Sequence, residues 1–116
     1  MTKRDFDDYI RDIHESAVAV RGFIEGMSEK EFIFDKKTHF AVTRAIEVIG
    51  EAVKNIPKPF RVKHPNVPWK EMAGMRDKLV HEYFGIDLRV LWKTAREDIP
   101  QIEELFQAFA REKKFK

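Results

Sequence analysis

Apolar residues recur along the chain at three- and four-residue steps, the spacing that puts them on one face of an α-helix. Phe6, Ile10, Ile13, Ala17, Val20 and Ile24 form the first such stripe. Asp5, Asp7 and Asp8 stand where the positive end of that helix favours acids, and Gly26 weakens its continuation. Ser28 and Glu31 have capping-box spacing, which predicts a short element running through Phe34. A second long stripe, Val42, Ala45, Ile46, Ile49, Val53 and Ile56, predicts a helix from near Thr38 to Ile56. Arg44, Glu47, Glu51 and Lys54 mark another face of it. Pro57, Pro59, Pro65 and Pro68 then crowd one segment, which reads as a loop with one short turn around Phe60. A third helix is predicted from Trp69 to Phe84, with Gly85 as its permissive end. Asp87 caps a last one, whose apolar face holds Leu88, Leu91, Ala95, Ile99, Ile102, Phe106 and Phe109. Pro100 interrupts it, and Asp98 and Gln101 can restart a helix there by side-chain capping, which predicts a kink or break. Strand-like alternation of useful length is absent, as are repeats. The expectation is an all-α fold, an up-and-down bundle of four to five helices with one proline-rich loop, in a single domain over residues 1–116.

The helix beginning at Trp69 breaks the binary pattern. At about 100° per residue, Trp69, Met72, Ala73, Leu79, Val80 and Tyr83 all fall within about 60° of Arg76. A guanidinium thus stands in the middle of a predicted apolar arc. Buried without partners it is costly, so it needs a carboxylate, a ligand or a wet cleft. Glu47 and Glu51 are the candidate carboxylate partners. His81 lies about 140° around the same helix, so a second protomer is one way to bring it to Arg76. Asp77, one helical step before His81, is placed to orient the imidazole. Tyr83 shares the Arg76 face.

Composition narrows the classes. With 43% hydrophobic and 36% charged residues in 116, the chain suits a folded domain of ordinary size. The absence of cysteine excludes disulfides and thiolate metal sites. His14, His39, His64 and His81 are scattered, without a metal-binding spacing, so no cofactor is expected. No run reaches membrane-spanning length and the N-terminus is charged, which leads to an expected cytoplasmic location and no membrane partner. The net charge of +2 does not itself point to nucleic acid. Its distribution is more informative: Lys58, Arg61, Lys63 and Lys70 fall in a stretch free of acids, a candidate contact for an RNA backbone. A second basic run closes the chain at 111–116.

The run Arg76-Asp77-Lys78-Leu79-Val80-His81-Glu82-Tyr83 resembles the R-x4-H-x-Y motif of HepT-type toxins in the HEPN superfamily. The Ala45–Ala52 segment, the Phe84-Gly85-Ile86-Asp87 run and the Trp92-bearing helix resemble that family as well. The resemblance implies a metal-independent endoribonuclease, dimeric, with motifs from two subunits lining one cleft. His81 would be general acid or base, Arg76 would hold the phosphate, and Asp77 would orient the site. It further implies the toxin of a type VII toxin–antitoxin pair. The antitoxin, a nucleotidyltransferase of MntA type, would neutralise it by transferring AMP to Tyr83, within a homodimer or a larger hetero-complex. The RNA class, transfer or messenger, is open. The alternative reading is a non-catalytic helical subunit of a nucleotidyltransferase complex that binds nucleotide or RNA.

Overall fold

A computed structural model of the chain describes residues 5–81 and 85–114, with residues 80–81 and 110–114 described through their backbone alone. The predicted stripes become helices α1 (Phe6–Ile24), α3 (Lys36–Lys54), α5 (Trp69–Leu79) and α7 (Ile99–Lys114). The six-residue helices α2 (Glu29–Phe34), α4 (Lys58–Lys63) and α6 (Leu88–Lys93) join them. Helix α1 packs on α3 and α7, and α3 packs on α5. One core cluster, including Ile13, Val20, Ile46, Ile49, Leu79, Leu91 and Phe106, runs through the bundle. An aromatic group closes one end: Phe60 meets Phe6, His64, Trp69 and Phe109, and Trp69 stands edge-on to Phe106.

Local chemistry sets the ends of these elements. Gly26, at φ 76°, turns the chain after α1. The Ser28–Glu31 capping box forms, with the Ser28 backbone N–H donating to Glu31 Oε1 at 3.0 Å and the Glu31 N–H to Ser28 Oγ at 3.1 Å. The Ser28 backbone N–H first, and the Ser28 hydroxyl second, hold the Glu31 carboxyl below its usual range. Their support for α2 is therefore present at neutral pH and lost as acid protonates Glu31. Asp35 accepts from the Thr38 N–H, so α3 starts at Lys36, two residues ahead of the predicted start near Thr38.

One expectation is made specific and two are corrected. The short turn around Phe60 is helix α4: Pro57 caps it and Pro59 lies in its first turn, where a missing N–H costs little. The last helix does not break at Pro100: helical elements follow one another from Leu88 to Lys114. The rod opens into a π turn over Thr94–Asp98, with the Ile99 N–H reaching Thr94 O, and Gln101 Nε2 donates to Glu97 O at 3.2 Å. The third helix stops at Leu79 rather than continuing toward Phe84. Val80–His81 (β1) turns extended and pairs antiparallel with Gly85–Ile86 (β2), Val80 opposite Ile86 and His81 opposite Gly85. Gly85 takes φ 77°, and the Asp87 N–H donates to Leu79 O at 2.8 Å. That carbonyl, orphaned by the helix end, is thereby satisfied.

Helices α3 and α5 run antiparallel and close together because Gly50 has no side chain. A β-carbon there would meet Ala73 O at 3.4 Å and Met72 O at 3.7 Å. Gly50→Leu is expected to force the two helices apart and lower the unfolding free energy by about 1–3 kcal/mol in urea titrations. Gly50→Ala, whose better helix propensity offsets the tight contact, should stay near the parent.

Candidate functional site

The antiparallel seam of α3 and α5 positions the first site residues. Glu47 lies one turn before Gly50 and Arg76 one turn after Ala73, so the two meet across the seam. Arg76 Nε donates to Glu47 Oε2 at 2.9 Å. Of the two candidate carboxylates, then, Glu47 forms the ion pair; Glu51, one turn on, is exposed.

The placement of Arg76 corrects the expected geometry. It is not at the middle of the buried arc. The buried residues of α5 are Trp69, Met72, Met75 and Leu79, and their mean direction is about 45° away from Arg76. Arg76 stands on the rim of the core, with its side chain 54% exposed and that of Glu47 29% exposed. A pair this wet carries little stability, since solvent screens it and competes for both partners. It does fix the guanidinium. Glu47 takes Nε, and the terminal amino groups carry the remaining donors of the fork.

The end of α5 also changes the relation of Asp77 to His81. Both were expected on one helix a single turn apart. Leu79 ends the helix between them, so helical spacing no longer relates the two. Asp77 is exposed in the last turn of α5. The backbone of His81 lies in β1, two residues past the helix end and five past Arg76. Tyr83 lies outside the described residues.

The basic residues of the proline-rich segment divide. Lys58, Arg61 and Lys70 line a cleft of about 520 Å³ between the end of α3, α4 and the start of α5, and Lys54 of α3 joins them. Its floor is apolar, made by Val53, Val62, Trp69 and Ala73. Lys63, exposed at the end of α4, is not among the residues lining it. Lys54 went unnoticed as a site residue in the sequence, although its place two turns from Glu47 on the same face of α3 was a usable signal. The Trp69 indole donates to His64 O at 2.9 Å and so ties this segment to the start of α5.

Among the described residues no three metal-ligating side chains gather, and no helix is long and apolar enough to cross a membrane.

Comparison with known proteins finds relatives over most of the chain. A family model described as "Ribonuclease HepT-like" matches residues 8–109. A protein of Thermococcus cleftensis named "Probable ribonuclease HepT" is 53% identical over 105 residues, 90% of this chain and 96% of the relative. A protein of Methanocaldococcus jannaschii named "Putative RNase MJ1216" is 46% identical over 112 residues, 97% of this chain and 93% of the relative. No solved structure matches the chain at a significant level.

Proposed function

Because this chain belongs to the family of HepT-like ribonucleases, we propose that it is an endoribonuclease in which Arg76 and His81 do the chemistry. The observation that carries the reading is the Arg76 guanidinium. It is held through Nε by Glu47 and half open to solvent, one turn before the strand that bears His81. An arginine fixed at one edge offers its other donors to the non-bridging oxygens of a phosphodiester. As the ribose 2′-oxygen attacks the adjacent phosphorus, charge builds on those oxygens, and a preorganised cation lowers the barrier. The imidazole of His81 takes the 2′-hydroxyl proton or delivers a proton to the departing 5′-oxygen. The P–O5′ bond breaks, leaving a 2′,3′-cyclic phosphate on one fragment and a 5′-hydroxyl on the other. Arg76 supplies the positive charge, so no metal ion is needed. Asp77, beside Arg76, orients the site.

The site is completed in a homodimer whose two motifs face one cleft, with Lys58, Arg61, Lys63 and Lys70 contacting the RNA backbone. RNA is the substrate, in the cytoplasm. The protein acts as the toxin of a pair with a nucleotidyltransferase antitoxin. Incubating RNA with the purified chain in excess EDTA tests the chemistry. Fragments ending in 2′,3′-cyclic phosphate are expected, and a single 2′-deoxy substitution at the cut nucleotide should stop cleavage. Cleavage that EDTA abolishes, or that ignores the deoxy substitution, contradicts the mechanism.

Control of the toxin falls to Tyr83. An adenylate on that hydroxyl brings bulk and negative charge into a cleft shaped for phosphate, which blocks RNA. After co-expression with a nucleotidyltransferase from the same genome, intact-mass spectra are expected to show one or more added AMP groups. Tyr83→Phe should remove the adduct while leaving the protein toxic. An adduct that persists in Tyr83→Phe would place the modification elsewhere.

A further inference from the structure

The cleft between the end of α3, α4 and the start of α5 has features that a generally basic surface lacks. Its rim carries Lys54, Lys58, Arg61 and Lys70, and among the described residues no acidic side chain lines it. Among the described residues none of these four is ion-paired. The Nε of Arg61 is shut off from solvent and has no hydrogen-bond partner. That nitrogen is out of a ligand's reach as well, so Arg61 meets the cleft through its other atoms. The floor is apolar, and Val62 on it is 67% exposed. A ring of cations around an exposed aliphatic seat suits a nucleotide whose base is free to lie against the protein. Duplex RNA keeps its base faces stacked and presents phosphates, ribose and base edges instead.

The cleft and the ion pair share one seam. Along α3 the order is Glu47, Gly50, Lys54; along α5 it is Arg76, Ala73, Lys70, and Ala73 also lines the cleft. Six residues of helix separate Lys70 from Arg76, roughly 9 Å of axial rise. That is too far for both to hold one phosphate and suits a neighbouring nucleotide of the same strand. We propose that this cleft is a subsite for an unpaired nucleotide flanking the cut, holding its phosphate with Lys54, Lys58, Arg61 and Lys70 and seating its base on Val62 and Ala73. The subsite rests on the ribonuclease reading and restricts the substrate to single-stranded RNA. Glu51 stands on the same face of α3 between Glu47 and Lys54, exposed, where its charge opposes a passing phosphate.

The test is binding rather than turnover, so it stands whether or not catalysis is found. A fluorescent single-stranded RNA, 2′-deoxy throughout its cut region so that it persists, is titrated with the full-length chain at several salt concentrations. In Lys58→Ala/Lys70→Ala, both side chains being exposed, the dissociation constant is expected to rise about tenfold or more. The slope of log affinity against log salt should shrink by about 1.4. Arg61→Gln is expected to weaken binding as well, and Glu51→Gln to tighten it about twofold. Unfolding midpoints of all variants are recorded alongside. Unchanged affinity and salt slope in a folded double variant would overturn the subsite. Equal affinity for a duplex of the same sequence, lost equally in the variant, would overturn its preference for an unpaired strand.

Discussion

Arg76→Ala is expected to slow RNA cleavage by at least about a hundredfold to a thousandfold while leaving the unfolding midpoint nearly where it was. The rate estimate is what removing one preorganised donor to a developing oxyanion typically costs. The stability estimate comes from exposure: a pair whose arginine is 54% open to solvent contributes about 0–1 kcal/mol. This separation of rate from stability distinguishes a site from a structural salt bridge. An arginine retained to hold α3 against α5 would show the reverse, a lowered midpoint with cleavage intact. Arg76→Met sharpens the contrast. If it raised stability and kept full activity, Arg76 would have no part in the chemistry. Arg76→Lys keeps the charge and loses the fork geometry, and should recover only a small part of the rate.

The second large effect belongs to His81. His81→Ala is expected to lower the cleavage rate by about a hundredfold to ten-thousandfold, the range for a lost general acid or base. RNA affinity should change little, because the imidazole works on protons rather than on phosphate charge. The pH–rate profile supplies the readout that a structural role would not move. Across about pH 5–8, where imidazole ordinarily titrates, the parent rate should bend and the residual rate of His81→Ala should be flatter. A profile of unchanged shape in the variant would assign the proton transfer to another group.

The helical architecture was legible because burial enforces its period. The stripes Ile10–Ile13–Ala17–Val20–Ile24 and Val42–Ile46–Ile49–Val53 are the residues that face the core. Caps at Ser28 and Asp87 form as their sequence spacing implies, the latter with Asp87 Oδ1 accepting from the Arg89 and Val90 N–H groups. What the pattern concealed was the end of α5. Nothing apolar distinguishes Val80 in a helix from Val80 in a two-residue strand. Extending the helix to Phe84 counted Val80 and Tyr83 into its buried face and drew that face's centre onto Arg76. With the helix ending at Leu79, Met75 enters the arc and Arg76 moves to its rim. The unusual residue was therefore visible in the sequence, but its exposure was not.

The site shows the same division between local and distant information. Glu47 as a partner for Arg76 followed from type and spacing, whereas the choice of Glu47 over Glu51 depends on the close crossing at Gly50. The basic residues of the proline-rich segment stood out by composition. Their gathering with Lys54 around one cleft depends on α4, a helix started by prolines that read as loop markers.

The most direct measurement concerns the contact between the guanidinium and the scissile phosphate. Once the cut site is mapped, an uncleavable RNA is made with that one linkage replaced by a neutral methylphosphonate. Its affinity is compared with that of the charged parent for the wild-type chain and for Arg76→Ala. If Arg76 grips this phosphate, the wild type loses about tenfold in affinity, the equivalent of about 1.4 kcal/mol, and Arg76→Ala loses almost nothing further. An equal loss in both proteins would show that the arginine and the phosphate do not meet.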